Sequence, residues 1–446
     1  MQAGGHPGPA LPHWAQHAWL ARSWLWREPA FAFLCATRLA YEVVGIVIAE
    51  ERRAAKLAAA GWAAYAPLGV KYLAVLGLAA ASASWVQRSG GWPALARQAT
   101  MKAAVAFWLL VLASLAWTTG PGTIAASQCG LYAVLMAVPV IAQGCPPALA
   151  ARALRHFAAA SAVVGSAIVL HRAGVLPEHA WGHSSVWAEG NQRIATSLVL
   201  ALGAAVASAL ALQAHLRARD GGNHRGTIIW TLAAVLAVLG LSLQDRRTGM
   251  LALPVLLAVL GLAHLRRPRQ RVAAVLAVLL LSLAAWQFAP GVRGRIDEGL
   301  NEVRTYQSSD TAATSWGMRL RLAEHTLDMI RERLLFGHGV GSWITQWRQR
   351  VQPGLLISIH TTPHNEYLLV TSQLGIVGLI ALLGVLAAHL RAAWRAGPAG
   401  YPALMAWSAI ACTGMFNVVL RDAKFALPML LVAGLGGAVA RARHPA

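Results

Sequence analysis

The chain has 446 residues, 57% hydrophobic and only 12% charged, with a mean hydropathy of +0.51 and a formal net charge of +21. Soluble domains carry about 25% charged residues, so a water-solvated globule is excluded and one membrane unit with small extramembrane pieces is indicated. The basic residues are scattered through short loops between apolar runs, which argues against a nucleic-acid partner and for the loop Arg that fixes membrane topology.

Trp14, Trp19, Trp24 and Trp26 are mixed with His and Arg ahead of the first apolar run, the pattern of an interfacial anchoring segment. Twelve runs then have the length and composition of membrane spans: 31–49, 66–85, 103–118, 121–142, 157–176, 194–213, 227–244, 248–265, 272–289, 366–390, 402–420 and 425–440. The first two carry Arg38, Glu42 and Lys71 inside them. Cys35, Cys129, Cys145 and Cys412 lie in or beside spans, with neither a CxxC nor a metal spacing.

The basic run Arg266-Arg267-Pro268-Arg269-Gln270-Arg271 is expected to face the cytoplasm. Counting outward puts Arg217, Arg219, Arg225, Arg391, Arg395, Arg441 and Arg443 on the same side, with both termini inside. The expected fold is an all-α integral membrane protein of about twelve transmembrane helices. It divides into a nine-span bundle (1–289), a small helical periplasmic domain (290–365) between the ninth and tenth spans, and three C-terminal spans (366–446). Within the middle piece, Leu320, Ala323, Leu327, Ile330 and Leu334 recur at helical spacing, predicting an amphipathic helix over the bundle mouth. It runs into the Gly-rich turn Gly337-His338-Gly339-Val340-Gly341.

Topology does not require Arg on the outer face, yet three groups collect there. Arg193 begins the span 194–213, Arg246 and Arg247 begin 248–265, and His364 begins 366–390. Helix N-termini present unpaired N–H groups and partial positive charge, so these ends with their Arg suit a dianion such as pyrophosphate. The competing reading is that each Arg snorkels or pairs with Glu189 or Asp245. Thr362 is a natural N-cap and Pro363 suits the first helical position, which puts His364 in the first turn. There the helix dipole keeps the imidazole neutral and able to accept a proton, as activation of a sugar hydroxyl requires. The alternative is a His that merely hydrogen-bonds its loop. His360 and His364 have the i, i+4 spacing of a metal pair, but Pro363 interrupts the helix and no third ligand follows, so no metal site is expected. His338, in a Gly-rich turn that could approach phosphate, is a further catalytic candidate, next after His364 as the base.

These residues resemble a known family. His364-Asn365, nine residues, Gly375, two residues and Gly378 is similar to the signature of the O-antigen ligases. Arg319 followed by Leu334-Leu335-Phe336-Gly337-His338-Gly339-Val340-Gly341 is similar to an Arg…Pro-Leu-x-Gly-x-Gly pattern of the wider ligase and polymerase superfamily, with the usual Pro absent. Arg247-Thr248-Gly249 resembles its Ser-Arg-x-Gly element, with Arg246 in place of Ser, and Arg193 follows Gly190-Asn191-Gln192 at the position of another family Arg. The resemblance implies a glycosyltransferase at the periplasmic face of the bacterial inner membrane. It would move O-antigen from undecaprenyl pyrophosphate to the lipid A–core oligosaccharide, with no metal and no cofactor. It implies His364 as proton acceptor with Asn365 orienting it or the substrate, and a pyrophosphate-binding set of Arg247, Arg193, Arg319, Arg246 and Arg321, with Arg247 preferred to Arg246. The alternatives are a polymerase of the same superfamily and, in a different class, a transporter of lipid-linked glycan. A transporter predicts two related halves and charges at mid-membrane; the chain has no internal repeat and its suspect residues gather at one face.

Overall fold

The computed structural model describes residues 59–66, 68–176, 191–219, 221–244, 247–288, 290–306 and 314–442. The expected first span at 31–49 and the Trp-rich segment before it lie outside the described residues, as do Arg246, Glu189 and Asp245.

The regular structure of the described residues is helical. The helices are α1 (Leu68–Arg88), α2 (Trp92–Arg97), α3 (Ala99–Ala113), α4 (Gly122–Ala133), α5 (Ala137–Gly144), α6 (Pro147–Arg172), α7 (Asn191–Arg219) and α8 (Arg225–Ser242). They continue as α9 (Arg247–His264), α10 (Pro268–Phe288), α11 (Pro290–Arg304), α12 (Ser315–Glu332), α13 (Trp343–Arg348), α14 (Glu366–Arg395), α15 (Tyr401–Thr413) and α16 (Ala423–Arg441). A helix satisfies its own backbone groups, which a chain in hydrocarbon must do, and the abundant Ala and Leu favour it. Eight stretches among the described residues are long and apolar enough to cross a membrane: Leu68–Arg88, Ala99–Ala116, Gly122–Gly144, Pro147–Arg172, Ile194–Arg219, Arg225–Ser242, Glu366–Arg395 and Ala423–Arg441. The apolar Thr248–His264 is shorter.

α7 is the axis of the bundle, with 89% of its spanning stretch buried against 28% for α8. It packs on α6, α8, α9, α15 and α16. Small residues set these distances, as is usual where helices pack in lipid. A Cβ on Gly240 of α8 would sit 2.4 Å from the Gly165 Cα of α6, and one on Gly203 of α7 would sit 2.0 Å from the Ser161 Oγ.

α14 is broken at Gly375, whose backbone (φ 68, ψ −167) is not helical. The Gly-rich turn after α12 fills the break. Ile376 N–H donates to the Leu334 carbonyl (2.8 Å), His338 N–H to the Ser372 carbonyl (3.0 Å) and Gly339 N–H to the Gln373 carbonyl (2.8 Å). Gly337, Gly339 and Gly341 all have positive φ, the left-handed region that glycine enters without strain. Two sequence motifs, 334–341 and Gly375, ten residues after Asn365, thus form one backbone-paired unit.

The segment between α10 and α14 has its own core. Leu322, Met329, Trp343, Ile344, Trp347, Val351 and Ile357 cluster with Leu369 of α14 and Val418. Three expectations change here. α15 ends at Thr413, so the apolar run to residue 420 is not one helix. Val418, Val419 and Leu420 are buried in a connector between α15 and α16, with Val418 in the core of the α12–α13 segment. Burial in protein, not in lipid, makes that run apolar. The buried face of α12 is Leu322, Thr326, Met329 and Ile330, whereas Leu327 and Leu334 are exposed. Thr326 lies inside because its hydroxyl accepts the Trp343 indole N–H at 3.0 Å. Last, α14 is capped by Asn365, not Thr362: the Asn365 Oδ1 accepts the Leu368 N–H at 3.0 Å. His364 therefore sits one residue before the cap.

Candidate active site

The start of α14 is built on the α15–α16 connector. Asn365 Nδ2 donates to the Met415 carbonyl (3.0 Å), and Glu366 N–H donates to the Gly414 carbonyl (2.8 Å). The Glu366 carboxylate, only 2% exposed, accepts the Tyr132 hydroxyl at 3.1 Å and the Leu420 N–H at 2.8 Å. Three elements, α4, α14 and the connector, therefore meet on one buried side chain. Neither Glu366 nor Tyr132 was singled out by sequence; the available signal was an acid at the head of an apolar span, which has to be paired to be buried.

His364 is the one non-glycine among the described residues with positive φ (53°). His is among the side chains that tolerate this region best, yet it costs about 1–3 kcal/mol and recurs at functional sites. The His364 Nε2 lies 3.1 Å from the His360 Nδ1, with the rings nearly perpendicular (81°) and their centroids 5.1 Å apart. Burial first, then the nearby Arg319 guanidinium and His360, lower the His364 pKa from 6.5 to about 3. Burial and Arg319 lower His360 as well. Both rings are therefore neutral at pH 7.

Arg319 comes from α12, where its guanidinium lies 5.6 Å from the Trp316 ring centroid, and Trp316 stacks edge-on against Phe416 of the connector (6.3 Å). Arg321, two residues along the helix, does not share that face; it bonds Glu324 at 2.9 Å. His338 is buried and its Nε2 lies 3.0 Å from the Met329 carbonyl, tying the Gly-rich turn to the far end of α12. Ten residues of helix between Arg319 and Met329 separate the two ends by about 15 Å. The structure thus brings Arg319, His360, His364 and Asn365 together and holds His338 apart from them.

The side chains of Arg193 and Arg247 are outside the description, but the helix starts that carry them are not. α9 packs on α7 through Gly249, where a Cβ would meet the Ser197 carbonyl oxygen at 2.4 Å. That contact lies two residues from Arg247 and four from Arg193, so the two N-termini are side by side. α15 packs against α7, α9 and α14 alike.

An almost wholly apolar cavity of about 590 Å³ opens between α8, α9, α10 and α11, lined by Leu241, Met250, Leu253, Pro254, Leu281 and Leu300 among others. Its wall also includes Trp316, the residue beneath Arg319. A hydrocarbon-sized space therefore ends beside the polar cluster.

Residues 232–383 match the model of a family described as O-antigen ligase. This segment is similar to the O-antigen ligase family. The matched segment is about a third of the chain and contains the start of α9, Arg319, the Gly-rich turn, His364, Asn365 and the break at Gly375. An uncharacterized protein of Haemophilus influenzae is 24% identical over 167 residues, which is 36% of this chain and 42% of that protein. The chain thus aligns with about two fifths of the length of that curated relative. With eight helices long and apolar enough to cross a membrane among the described residues, the likeness fits a multi-pass membrane protein.

Proposed function

We propose that the chain is a glycosyltransferase of the bacterial inner membrane. It transfers O-antigen from undecaprenyl pyrophosphate to the lipid A–core oligosaccharide at the periplasmic face, without a metal. The observation that carries this reading is a neutral histidine, His364, held beside Arg319 at the head of a membrane helix. His364 accepts the proton of an acceptor sugar hydroxyl, whose oxygen attacks the anomeric carbon of the donor. The bond from that carbon to the pyrophosphate oxygen breaks, and the pyrophosphate leaves with the electron pair. Arg319, Arg247 and Arg193 stabilise that negative charge, and Asn365 orients the segment that carries His364. The apolar cavity ending at Trp316 accepts the polyprenyl chain, consistent with its lining.

A bare His364 near pKa 3 is a weak base, and Arg319 is part of the reason. A dianionic pyrophosphate beside Arg319 offsets that positive charge, raising the proton affinity of His364 when donor is bound. The test is transfer by the purified protein given lipid-linked O-antigen and rough lipopolysaccharide in EDTA. Ligated product from wild type, lost in His364→Ala and Arg247→Ala, supports the reading. Polymerised lipid-linked repeats with no ligated product would replace it with the polymerase activity. Wild-type rates from His364→Ala would remove His364 from the mechanism.

A further inference from the structure

His360 carries no assigned role, yet it is the hydrogen-bond partner of His364. The contact joins the His364 Nε2 to the His360 Nδ1 at 3.1 Å, and it leaves the His360 Nε2 buried with no hydrogen-bond partner. Two proton arrangements satisfy that contact. If His360 donates, the His364 Nε2 lone pair is used and its remaining nitrogen, Nδ1, carries the hydrogen. His364 then has no free lone pair. If His364 donates from Nε2, its Nδ1 lone pair is free, and no hydrogen bond to Nδ1 forms among the described residues. Only the second arrangement gives a base.

We infer that His360 is a positioning residue that accepts the His364 Nε2–H, fixes the tautomer of His364, and so makes Nδ1 the atom that takes the proton. The inference rests on the reading of His364 as proton acceptor. When the sugar hydroxyl proton arrives at Nδ1, His364 becomes imidazolium and still donates from Nε2 to the neutral His360. The hydrogen bond then has a charged donor and strengthens, at the moment the acceptor oxygen bonds to the anomeric carbon. The second ring nitrogen of a functional His is ordinarily held in this way. Here an imidazole performs the task for which a carboxylate is more usual. A neutral partner suits a site built for an anion, since a carboxylate in its place would repel the pyrophosphate.

The local fold supports the pairing. The positive φ at His364 brings a side chain just outside α14 onto a residue four positions back, across Pro363, where no helix makes that contact by default. His360 itself follows a single 3-10 turn, Leu356–Ile359, anchored by the buried Ile357 in the core beneath α12.

The experiment combines a spectrum and two variants. In wild-type protein labelled with ¹⁵N-histidine, the ring signals of His364, assigned by their loss in His364→Gln, are expected to show Nε2 protonated and Nδ1 bare. Protonation at Nδ1 instead overturns the inference without any variant having to fold. His360→Phe keeps a ring and removes the acceptor; kcat is expected to fall about tenfold to a hundredfold, with KM for both lipids changed by less than about twofold. His360→Asn places an oxygen acceptor near the position of Nδ1 and is expected to recover most of that loss. Wild-type kcat in a folded His360→Phe, with His364→Ala inactive, overturns the role of His360 alone. Activity in His364→Ala overturns the underlying base assignment instead.

Discussion

Gly249 lies against the backbone of Ser197 so closely that a Cβ there would be 2.4 Å from the Ser197 carbonyl oxygen. This contact lets the first turn of α9 lie alongside the first turns of α7. Two helix N-termini on neighbouring elements become one positive corner. Gly249→Ala is therefore expected to push α9 from α7 and to reduce transfer at least about tenfold, more through KM for the donor than through expression. Gly294→Ala, where a Cβ meets nothing within 4 Å, is expected to leave both unchanged. Steady-state transfer with varied donor concentration checks the pair.

The break in α14 gives a stability prediction. At Gly375 a side chain would need φ near 68° and would place Cβ 2.0 Å from the Leu335 carbonyl oxygen. Gly375→Ala is expected to cost about 2 kcal/mol or more. Gly384→Ala, in the same helix with open space around it, is expected to be neutral or stabilising by up to about 1 kcal/mol. Thermal unfolding in detergent distinguishes them.

Glu366 and Tyr132 should differ in kind. Tyr132→Phe removes one donor to a carboxylate that keeps the Leu420 N–H, and is expected to cost about 1 kcal/mol. Glu366→Leu leaves the Leu420 N–H and the Tyr132 hydroxyl both without their acceptor. About 1–3 kcal/mol for each orphaned group is expected, with loss of transfer because the capped start of α14 loosens. Melting curves and activity of the two variants test the ranking.

The pH behaviour of His364 has a definite sign. Its folded pKa, about 3, lies below the ordinary 6.5. Between those values the unfolded chain binds a proton that the folded chain does not. The contribution to stability is therefore complete above pH 6.5 and is lost as the pH falls toward 3. Arg319→Gln removes a positive neighbour and is expected to raise the His364 pKa. A histidine NMR titration of wild type and variant reads the shift directly.

Most of the helices were legible because a span must be apolar for the same length that a helix must be long. What was not legible depended on contacts between distant segments. The run 402–420 reads as lipid-facing, yet its helix stops at Thr413 and Val418 is buried in the core of the α12–α13 segment. Thr362 and Pro363 have the residue types of a helix start, but the left-handed backbone of His364 moves the cap to Asn365. Helical spacing puts Leu327 and Leu334 on the inner face of α12, but Leu334 belongs to the turn that fills the α14 break and Thr326 is the interior residue, with a Trp343 partner. For the site, His364, Asn365 and Arg319 could be picked out by type and spacing. Their neighbour His360 reads from its spacing only as half of a metal pair, since nothing in i, i+4 spacing says that two rings bond to each other.

The connector that grips Asn365 and Glu366 also imposes an order of events during synthesis. Asn365 is tied to Met415, 50 residues later in the chain, and Glu366 to Leu420, 54 residues later. A nascent chain that has just delivered α14 to the membrane holds every residue of the His-Asn-Gly motif but not the strap that sets their geometry. The strap also lies beyond the segment 232–383 that carries the family likeness. The geometry of the motif thus needs α15 and the turn toward α16 as well as α14 itself.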